Sequence, residues 1–236
     1  MRAILVVLVL CLTPACSLPR IYQYHDPLTP AEHLALGVSY ETSGETELAI
    51  AEYKKTIALA PDREGITAAV FLGNVYAALD QFQTAEESYR EALSLDPHHG
   101  QALNNLASIL ATQRIKLEEA EALARAALAE AGSGNNARQK GIYLETLGEV
   151  LLRQGRYSEA LENFRAAEAF SDKGTASWLV HLYTHMAEAY EGLGQMADAQ
   201  EARLRAETVR AAASTIRTDE KIACESTQRC WKPSRD

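Results

Sequence analysis

The amino-acid sequence predicts an all-α fold, a right-handed superhelical stack of about five helical hairpins that ends in a C-terminal capping helix. The first observation is a pattern, Leu72-Gly73-x-x-Tyr76 followed by Ala85-x-x-x-Tyr89, which recurs along the chain. The second is that small residues return at two matched places in every copy. A recurrence of small and large apolar positions at this length is typical of one helical hairpin stacked on itself.

These positions resemble the tetratricopeptide repeat, a family of two antiparallel helices in 34 residues. The resemblance implies that small residues at repeat positions 8 and 20 let the two helices approach, while large apolar residues at positions 4, 7, 11 and 24 fill the space between them. Position 8 falls on Gly37, Gly73, Ala107, Gly148 and Ala187. Position 20 falls on Ala49, Ala85, Ala120, Ala160 and Ala199.

The residues outside the array and the array itself are expected to divide the chain in order. Residues 1–15 are expected to be a signal peptide of the lipoprotein type, and residues 16–29 a tether. Thr29, Pro30 and Glu32 predict the first helix, because Thr suits the cap, Pro the first turn and Glu the capping box. Residues 214–236 are expected to form a capping extension and a cysteine-containing tail. The array, residues 30–213, is divided into 30–63, 66–99, 100–134, 141–174 and 180–213.

Three departures from a regular repeat are informative. The third repeat has one extra residue near Arg114 and Ile115, and a polar loop is expected over residues 131–136. In the fifth repeat position 24 is Arg203, which suits a last repeat whose outer face meets water. Because no stop signal follows, its second helix is expected to run on toward Arg217 and cover the open end of the core.

Composition narrows the class of function. Of the 236 residues, 47% are apolar, which is enough for a substantial core, and the formal net charge is −9. No basic run interleaved with aromatic residues occurs, so the sequence predicts no nucleic-acid partner. The acidic balance suits a soluble body or a groove for basic peptides.

The N-terminus predicts export. Arg2 precedes an apolar run over residues 3–12, which is shorter than the roughly 20 residues that span a bilayer. Such a run with a small-residue cleavage site is typical of a secretory signal. The step from Ala15 to Cys16 resembles the lipobox of bacterial lipoproteins, which implies lipidation at Cys16. Thr13 stands where Leu is usual, so a secreted or soluble periplasmic protein is the alternative.

The cysteines fit this interpretation. If Cys16 carries lipid, Cys224 and Cys230 are left to pair with each other in an oxidising compartment. Because Ser17 follows Cys16 and not Asp, the resemblance to lipoproteins implies the outer membrane, with the body facing the periplasm of a bacterial envelope.

No catalytic motif is evident. The sequence has no P-loop and no nucleophile elbow, so no cofactor, metal or small-molecule substrate is expected. His181 and His185 form H-x-x-x-H on one helix face, and a metal-dependent enzyme built on them is the alternative from another class. A zinc protease would carry Glu directly after the first His, where this chain has Leu182.

The resemblance also implies a concave groove lined by the first helices. Its expected middle part is neutral and rich in amides, and its C-terminal part is acidic. The groove residues are Thr67, Asn74, Gln101, Asn104, Asn105, Ser108, Glu145, Glu149, Arg153, His181 and Glu188. Together with the N-terminus, these residues indicate a non-enzymatic, lipid-anchored periplasmic adaptor that binds a protein or peptide partner. The alternative within this class is a type IV pilus or secretin assembly lipoprotein, which is also a short chain of signal plus repeats.

Overall fold

Ten α-helices, and no strand, make up the secondary structure of the described chain. The computed structural model describes residues 26–60, 62–132, 136–171 and 175–227, and from residue 216 onward only the backbone. The helices are α1 Pro30–Thr42, α2 Thr46–Leu59, α3 Arg63–Ala78, α4 Phe82–Leu95, α5 Gly100–Gln113, α6 Leu117–Gly132, α7 Ala137–Arg153, α8 Tyr157–Glu168, α9 Ala176–Gly192 and α10 Met196–Thr227. Five antiparallel hairpins follow one another, which confirms the all-α stack.

The hairpins stack with their first helices close together. α1 contacts α3, α3 contacts α5, α5 contacts α7 and α7 contacts α9, whereas contacts between successive second helices are sparse or absent. Each second helix packs on its own hairpin partner and on the next first helix. The first helices therefore line the concave side, which we call the inner wall.

The small positions are buried as the sequence predicts. The five alanines at position 20, from Ala49 to Ala199, are at most 1% exposed. At position 8, three glycines each lie beneath an aromatic ring of the same repeat. A Cβ atom added to Gly73 would lie 2.5 Å from a ring carbon of Tyr89, and one added to Gly37 would lie 2.6 Å from Tyr53. Close packing at this distance leaves no space for a methyl group.

Three repeats pair a glycine with an aromatic ring, and the other two differ. The fourth repeat repeats it with Gly148 beneath Phe164. In the third repeat position 24 is Ala124, and there position 8 is Ala107, so the larger residue at one place accompanies the smaller residue at the other. In the fifth repeat Arg203 is exposed and pairs with Glu191, as expected for a repeat that meets water.

Part of the longer spacing of the last two repeats lies in helix. α7 begins at Ala137 and α9 at Ala176, about one turn before the starts expected at residues 141 and 180. The reason is a pair of caps that precede them. Asn136 accepts a hydrogen bond from the Gln139 amide at 3.1 Å, and Thr175 accepts one from the Trp178 amide at 3.2 Å.

The irregular turn of the third repeat lies where the extra residue was expected. Arg114 and Lys116 both adopt positive φ, 55° and 48°, whereas Asp80 is the single such residue at the corresponding turn of the second repeat. The expected polar loop is shorter than predicted, because α6 continues through Gly132 and Asn136 caps α7. Residues 133–135 lie outside the described chain.

Both ends of the array bear on the sequence predictions. The capping box at Thr29 is present, with Glu32 accepting hydrogen bonds from the Thr29 amide and hydroxyl at 2.8 Å. α10 runs past Arg217 to Thr227. Of the described helices, none has the length and apolar character needed to cross a membrane. The signal peptide, Cys16 and Cys230 lie outside the described residues, so lipidation and the disulfide with Cys224 stay predictions.

Replacing Gly73 with Ala should lower the free energy of unfolding by about 1–3 kcal/mol, because the new methyl group displaces the Tyr89 ring. Urea unfolding followed by circular dichroism measures this change. Gly132→Ala is the matched control, since no atom lies within 4 Å of a Cβ atom there. In a chain that carries Tyr89→Ala, Gly73→Ala should cost little, because no ring is left to be displaced. A double-mutant cycle that shows no interaction between the two changes would contradict this account.

Candidate functional site

The inner wall contains four seams, which are the lines where one first helix meets the next. The first seam lies between α1 and α3, the second between α3 and α5, the third between α5 and α7, and the fourth between α7 and α9. Position 6 of each later repeat faces positions 5 and 9 of the repeat before it. The side chains at these places differ from seam to seam, so the wall changes chemistry along its length.

The first seam is apolar. Val38 is 37% exposed, and Leu34 and Phe71 pack partly buried against the core. The Phe71 ring meets the Tyr53 ring edge to face, with centroids 5.8 Å apart and planes at 62°. This part of the wall offers an apolar contact surface with few polar groups.

The second seam is an amide network. Asn74 Oδ1 accepts one hydrogen bond from the Tyr89 hydroxyl and one from Asn105 Nδ2, each at 2.8 Å. The Asn74 oxygen is therefore occupied by the protein itself. Asn74, Asn105 and Thr67 are half-buried, and Gln101 is exposed.

The third seam holds smaller polar groups. Ser108 is half-buried, and Thr146 is 3% exposed at the place that Asn105 takes one repeat earlier. Asn104 is 4% exposed, and its Oδ1 has no hydrogen-bond partner among the described residues. The expectation that Asn104 lies on the groove surface is wrong, because position 5 packs against the next first helix.

The fourth seam is charged. His185 Nδ1 donates to Glu145 Oε1 at 2.7 Å, and Arg153 Nη1 donates to Glu188 Oε2 at 2.7 Å. Arg153 Nη2 lies 3.6 Å from Glu149 Oε1. The His185 ring stacks on Phe164 with centroids 5.9 Å apart. Three carboxylates, one guanidinium and one imidazole thus meet between two helices.

Two of these carboxylates are more buried than a groove surface would require. Glu145 is 9% and Glu149 7% exposed, whereas Glu188 is half-buried and His181 is exposed. Burial raises the pKa of Glu149, and the charge of Glu145 raises it further, while the charges of His185 and Arg153 act in the opposite direction. The predicted acidic part of the wall is present, with part of its charge held beneath the surface.

His185 is held in the same electrostatic environment. Burial opposes its charged form, but the hydrogen bond to Glu145 and the charges of Glu145 and Glu149 outweigh burial, so the pKa of His185 is raised. The Nδ1 atom of His185 is thus engaged with a carboxylate. Within the described ranges, no group of three or more His, Cys, Asp or Glu side chains is arranged to hold a metal ion.

A second histidine cluster, which the sequence pattern did not predict, lies in the first repeat. His33 is fully buried, with Nδ1 2.5 Å from Glu52 Oε2 and Nε2 3.5 Å from Asp26 Oδ2. Burial raises the pKa of Glu52, but hydrogen bonds from Lys55 and His33 outweigh it, so that pKa is lowered. The sequence contains a signal for this cluster, because His33 stands at position 4, where the repeat normally has a large apolar residue.

Comparisons with known proteins agree with this architecture. Family models described as tetratricopeptide repeat match residues 33–63 and 72–136. RNA polymerase II-associated protein 3 of Mus musculus is 30% identical over 125 residues, which cover 49% of this chain and 19% of that protein. The chain thus spans about a fifth of the length of this curated relative.

Solved structures share the fold at low identity. PilW, described as a widely conserved type IV pilus biogenesis factor, superposes with a TM-score of 0.66 at 19% identity, covering 77% of this chain and 78% of PilW. PilF of Pseudomonas aeruginosa superposes with a TM-score of 0.60 at 23% identity, covering 76% of each chain. At these identities the likeness concerns the fold alone.

The raised pKa of His185 predicts a pH-dependent contribution to stability. The contribution is fully present below the unfolded-state value near 6.5 and is lost as pH rises through the raised folded-state value. His185→Ala should therefore cost about 1–2 kcal/mol at pH 5.5 and less at pH 8.5, as measured by urea unfolding. His181→Ala, an exposed change on the same helix, is the control. A cost of His185→Ala that is equal at both pH values would contradict this assignment.

Proposed function

Because this chain is a tetratricopeptide-repeat protein, we propose that it is a non-enzymatic adaptor that binds an extended segment of a protein partner along its inner wall. The observation that carries the proposal is the change of side-chain chemistry from seam to seam. Equivalent positions are apolar in the first seam, amide in the second, hydroxyl-bearing in the third and charged in the fourth. If these positions served only to pack one hairpin on the next, the same residue types would suit every seam.

The architecture suits such a role. The first helices form a closely contacting layer, so the side chains on the wall are held by rigid elements. Exposed or half-buried polar groups, among them Thr67, Gln101, Ser108 and Glu188, lie on this one surface. A segment that crosses several seams could make an apolar contact at one end and ionic contacts at the other.

We propose further that the adaptor is held by lipid on Cys16 at the outer membrane of a bacterial envelope, facing the periplasm. The support is the sequence of the N-terminus, where Arg2 and an apolar run precede Ala15 and Cys16. Each buried methylene of an acyl chain contributes about 0.8 kcal/mol, so several chains give stable anchoring. Secretion, or a soluble periplasmic protein, is the alternative.

A second candidate is assembly of a type IV pilus or secretin. The fold likeness to PilW, a type IV pilus biogenesis factor, motivates this candidate, although a likeness at 19% identity concerns the fold alone. A metal-dependent enzyme based on His181 and His185 has less support, because His181 is exposed while His185 is engaged with Glu145.

The adaptor proposal predicts that photo-crosslinks form from the inner wall and not from the outer face. A photoreactive amino acid at Gln101 or at His181, both exposed on first helices, should give an adduct of the same partner in the native envelope. The same amino acid at Ala122 or Glu162, exposed on second helices, is the control. Mass spectrometry of the adduct identifies the partner, and a pilus or secretin subunit would select the second candidate.

Equal adduct yields from the inner and outer positions would contradict the inner wall as the binding surface. So would the absence of any adduct from Gln101 and His181 in cells where the protein is abundant. A hydrolytic activity of the wild type that is lost in His185→Ala would instead favour the enzyme.

Lipidation predicts that Cys16→Ser abolishes incorporation of radioactive palmitate and moves the protein from the membrane pellet to the soluble fraction. Cys224→Ser is the matched control, because it removes a cysteine from the tail and leaves the anchor intact. Labelling that persists in Cys16→Ser, or is lost equally in Cys224→Ser, would contradict an anchor on Cys16.

A further inference from the structure

We propose that His33 is the centre of a pH-responsive latch that holds the segment before α1 against the first hairpin. The members of the latch are Asp26 in that segment, His33 on α1, and Glu52 and Lys55 on α2. The inference goes beyond the proposed function, because it concerns how the array is attached to its N-terminal segment and not what the inner wall binds.

Both ring nitrogens of His33 face a carboxylate. Nδ1 donates to Glu52 Oε2 at 2.5 Å, and Nε2 lies 3.5 Å from Asp26 Oδ2, a distance that fits an ion pair and not a hydrogen bond. The residue is fully buried, so water does not stand in for either carboxylate. A neutral imidazole has one N–H. With that proton on Nδ1, the lone pair of Nε2 would meet the negative charge of Asp26, so the arrangement fits the cationic ring with both nitrogens protonated.

The charges of the latch balance when His33 is protonated. Asp26 and Glu52 supply two negative charges, and Lys55 Nζ lies 2.8 Å from Glu52 Oε1 and 3.8 Å from Asp26 Oδ2. Burial raises the pKa of Glu52, but its hydrogen bonds with Lys55 and His33 outweigh burial and lower it, so this carboxylate stays ionised at mildly acidic pH. Loss of the His33 proton would leave a net negative charge in a largely buried place, which is costly.

Few other charged groups act on His33. Glu32, the preceding residue on α1, adds a negative charge near the ring, but its carboxylate is engaged in the capping box with Thr29. α3 also contacts α1 and α2, yet its charged residues Arg63 and Glu64 form no ion pair with the latch. Among the described residues, the protonation of His33 is therefore controlled chiefly by the latch itself.

Loss of the proton from His33 should release the segment. The ion pairs with His33 and Lys55 are the contacts that join Asp26 to the hairpin within the described chain. The attached state holds one proton more than the released state, so falling pH favours attachment and rising pH favours release. If residues 16–29 connect the array to a lipid anchor, the latch makes the orientation of the inner wall at the membrane depend on pH.

The test follows the His33 ring and the Leu28 methyl groups by NMR in the full chain at pH 5.5 and pH 8.5, which bracket the ordinary range of histidine titration. The ring ¹⁵N shifts should report two protonated nitrogens at the lower pH and one, Nδ1, at the higher pH. Leu28 lies between Asp26 and α1, so its methyl groups should become about twofold more mobile at the higher pH, as measured by methyl relaxation.

Asp26→Asn is the informative variant, because its amide can donate to Nε2 of the neutral ring or accept from Nε2 of the cationic ring. The mobility of Leu28 should then no longer depend on pH. Asp26 is partly exposed and precedes α1, so this change leaves the array folded. Asp198→Asn is the matched control, since it removes the same charge from an exposed place on α10 and should keep the pH dependence of the wild type.

His33→Leu separates the latch from packing. The repeat normally has a large apolar residue at this position, so the array should stay folded by circular dichroism while Leu28 is mobile at both pH values. An ordered Leu28 in the folded His33→Leu variant would mean that apolar packing holds the segment, and would overturn the proposal.

Three further results would overturn the latch. They are a His33 ring that keeps one protonation state at both pH values, a Leu28 mobility that is the same at both, and a pH dependence that persists in Asp26→Asn. None of these results bears on the photo-crosslinks of the inner wall, so the latch and the adaptor function stand or fall separately.

Discussion

The seating of an aromatic ring on a glycine is the contact on which the remaining structure depends. In three of the five hairpins this contact fixes how closely the two helices approach, since a ring carbon lies within 2.6 Å of where a Cβ atom would be. Where the second helix has Ala124 instead of a ring, the first helix has Ala107. A larger residue on the first helix thus accompanies a smaller residue on the second, as a close-packed contact requires.

The same rings connect the core to the inner wall. Tyr53 contacts Phe71 of the next repeat, and Phe164 stacks on His185 of the next repeat. The Tyr89 hydroxyl joins the amide network of the second seam. Tyr53 and Phe164 therefore each support a wall residue of the next hairpin, and Tyr89 supports a wall residue of its own hairpin. Rigid support of this kind lowers the entropy lost when a ligand binds.

Most of the fold could be predicted from the sequence, because small residues at fixed spacing report directly on helix contact. The ten small positions and the capping box at Thr29 needed no knowledge of distant residues. A fixed repeat length places the starts of α7 and α9 about one turn late, because the caps at Asn136 and Thr175 begin these helices earlier. The wall was predicted less completely. Its residues could be named, but burial of Asn104, Glu145 and Glu149 depends on the spacing between neighbouring repeats, which one sequence pattern does not specify.

The inner wall is where this chain departs from the arrangement of greatest stability. An apolar residue at the place of Glu149 would pack against α9 without a desolvation cost, as Leu and Val residues do elsewhere along α7. The chain instead holds two buried carboxylates on one helix, and it provides a donor within hydrogen-bond distance for only one of them. His33 in the first repeat is also buried, and its Nδ1 meets Glu52 while its Nε2 has no hydrogen-bond partner among the described residues. Partly satisfied polar groups thus occur both in the first repeat and at the fourth seam, and at each place a well-packed apolar residue would avoid the desolvation cost.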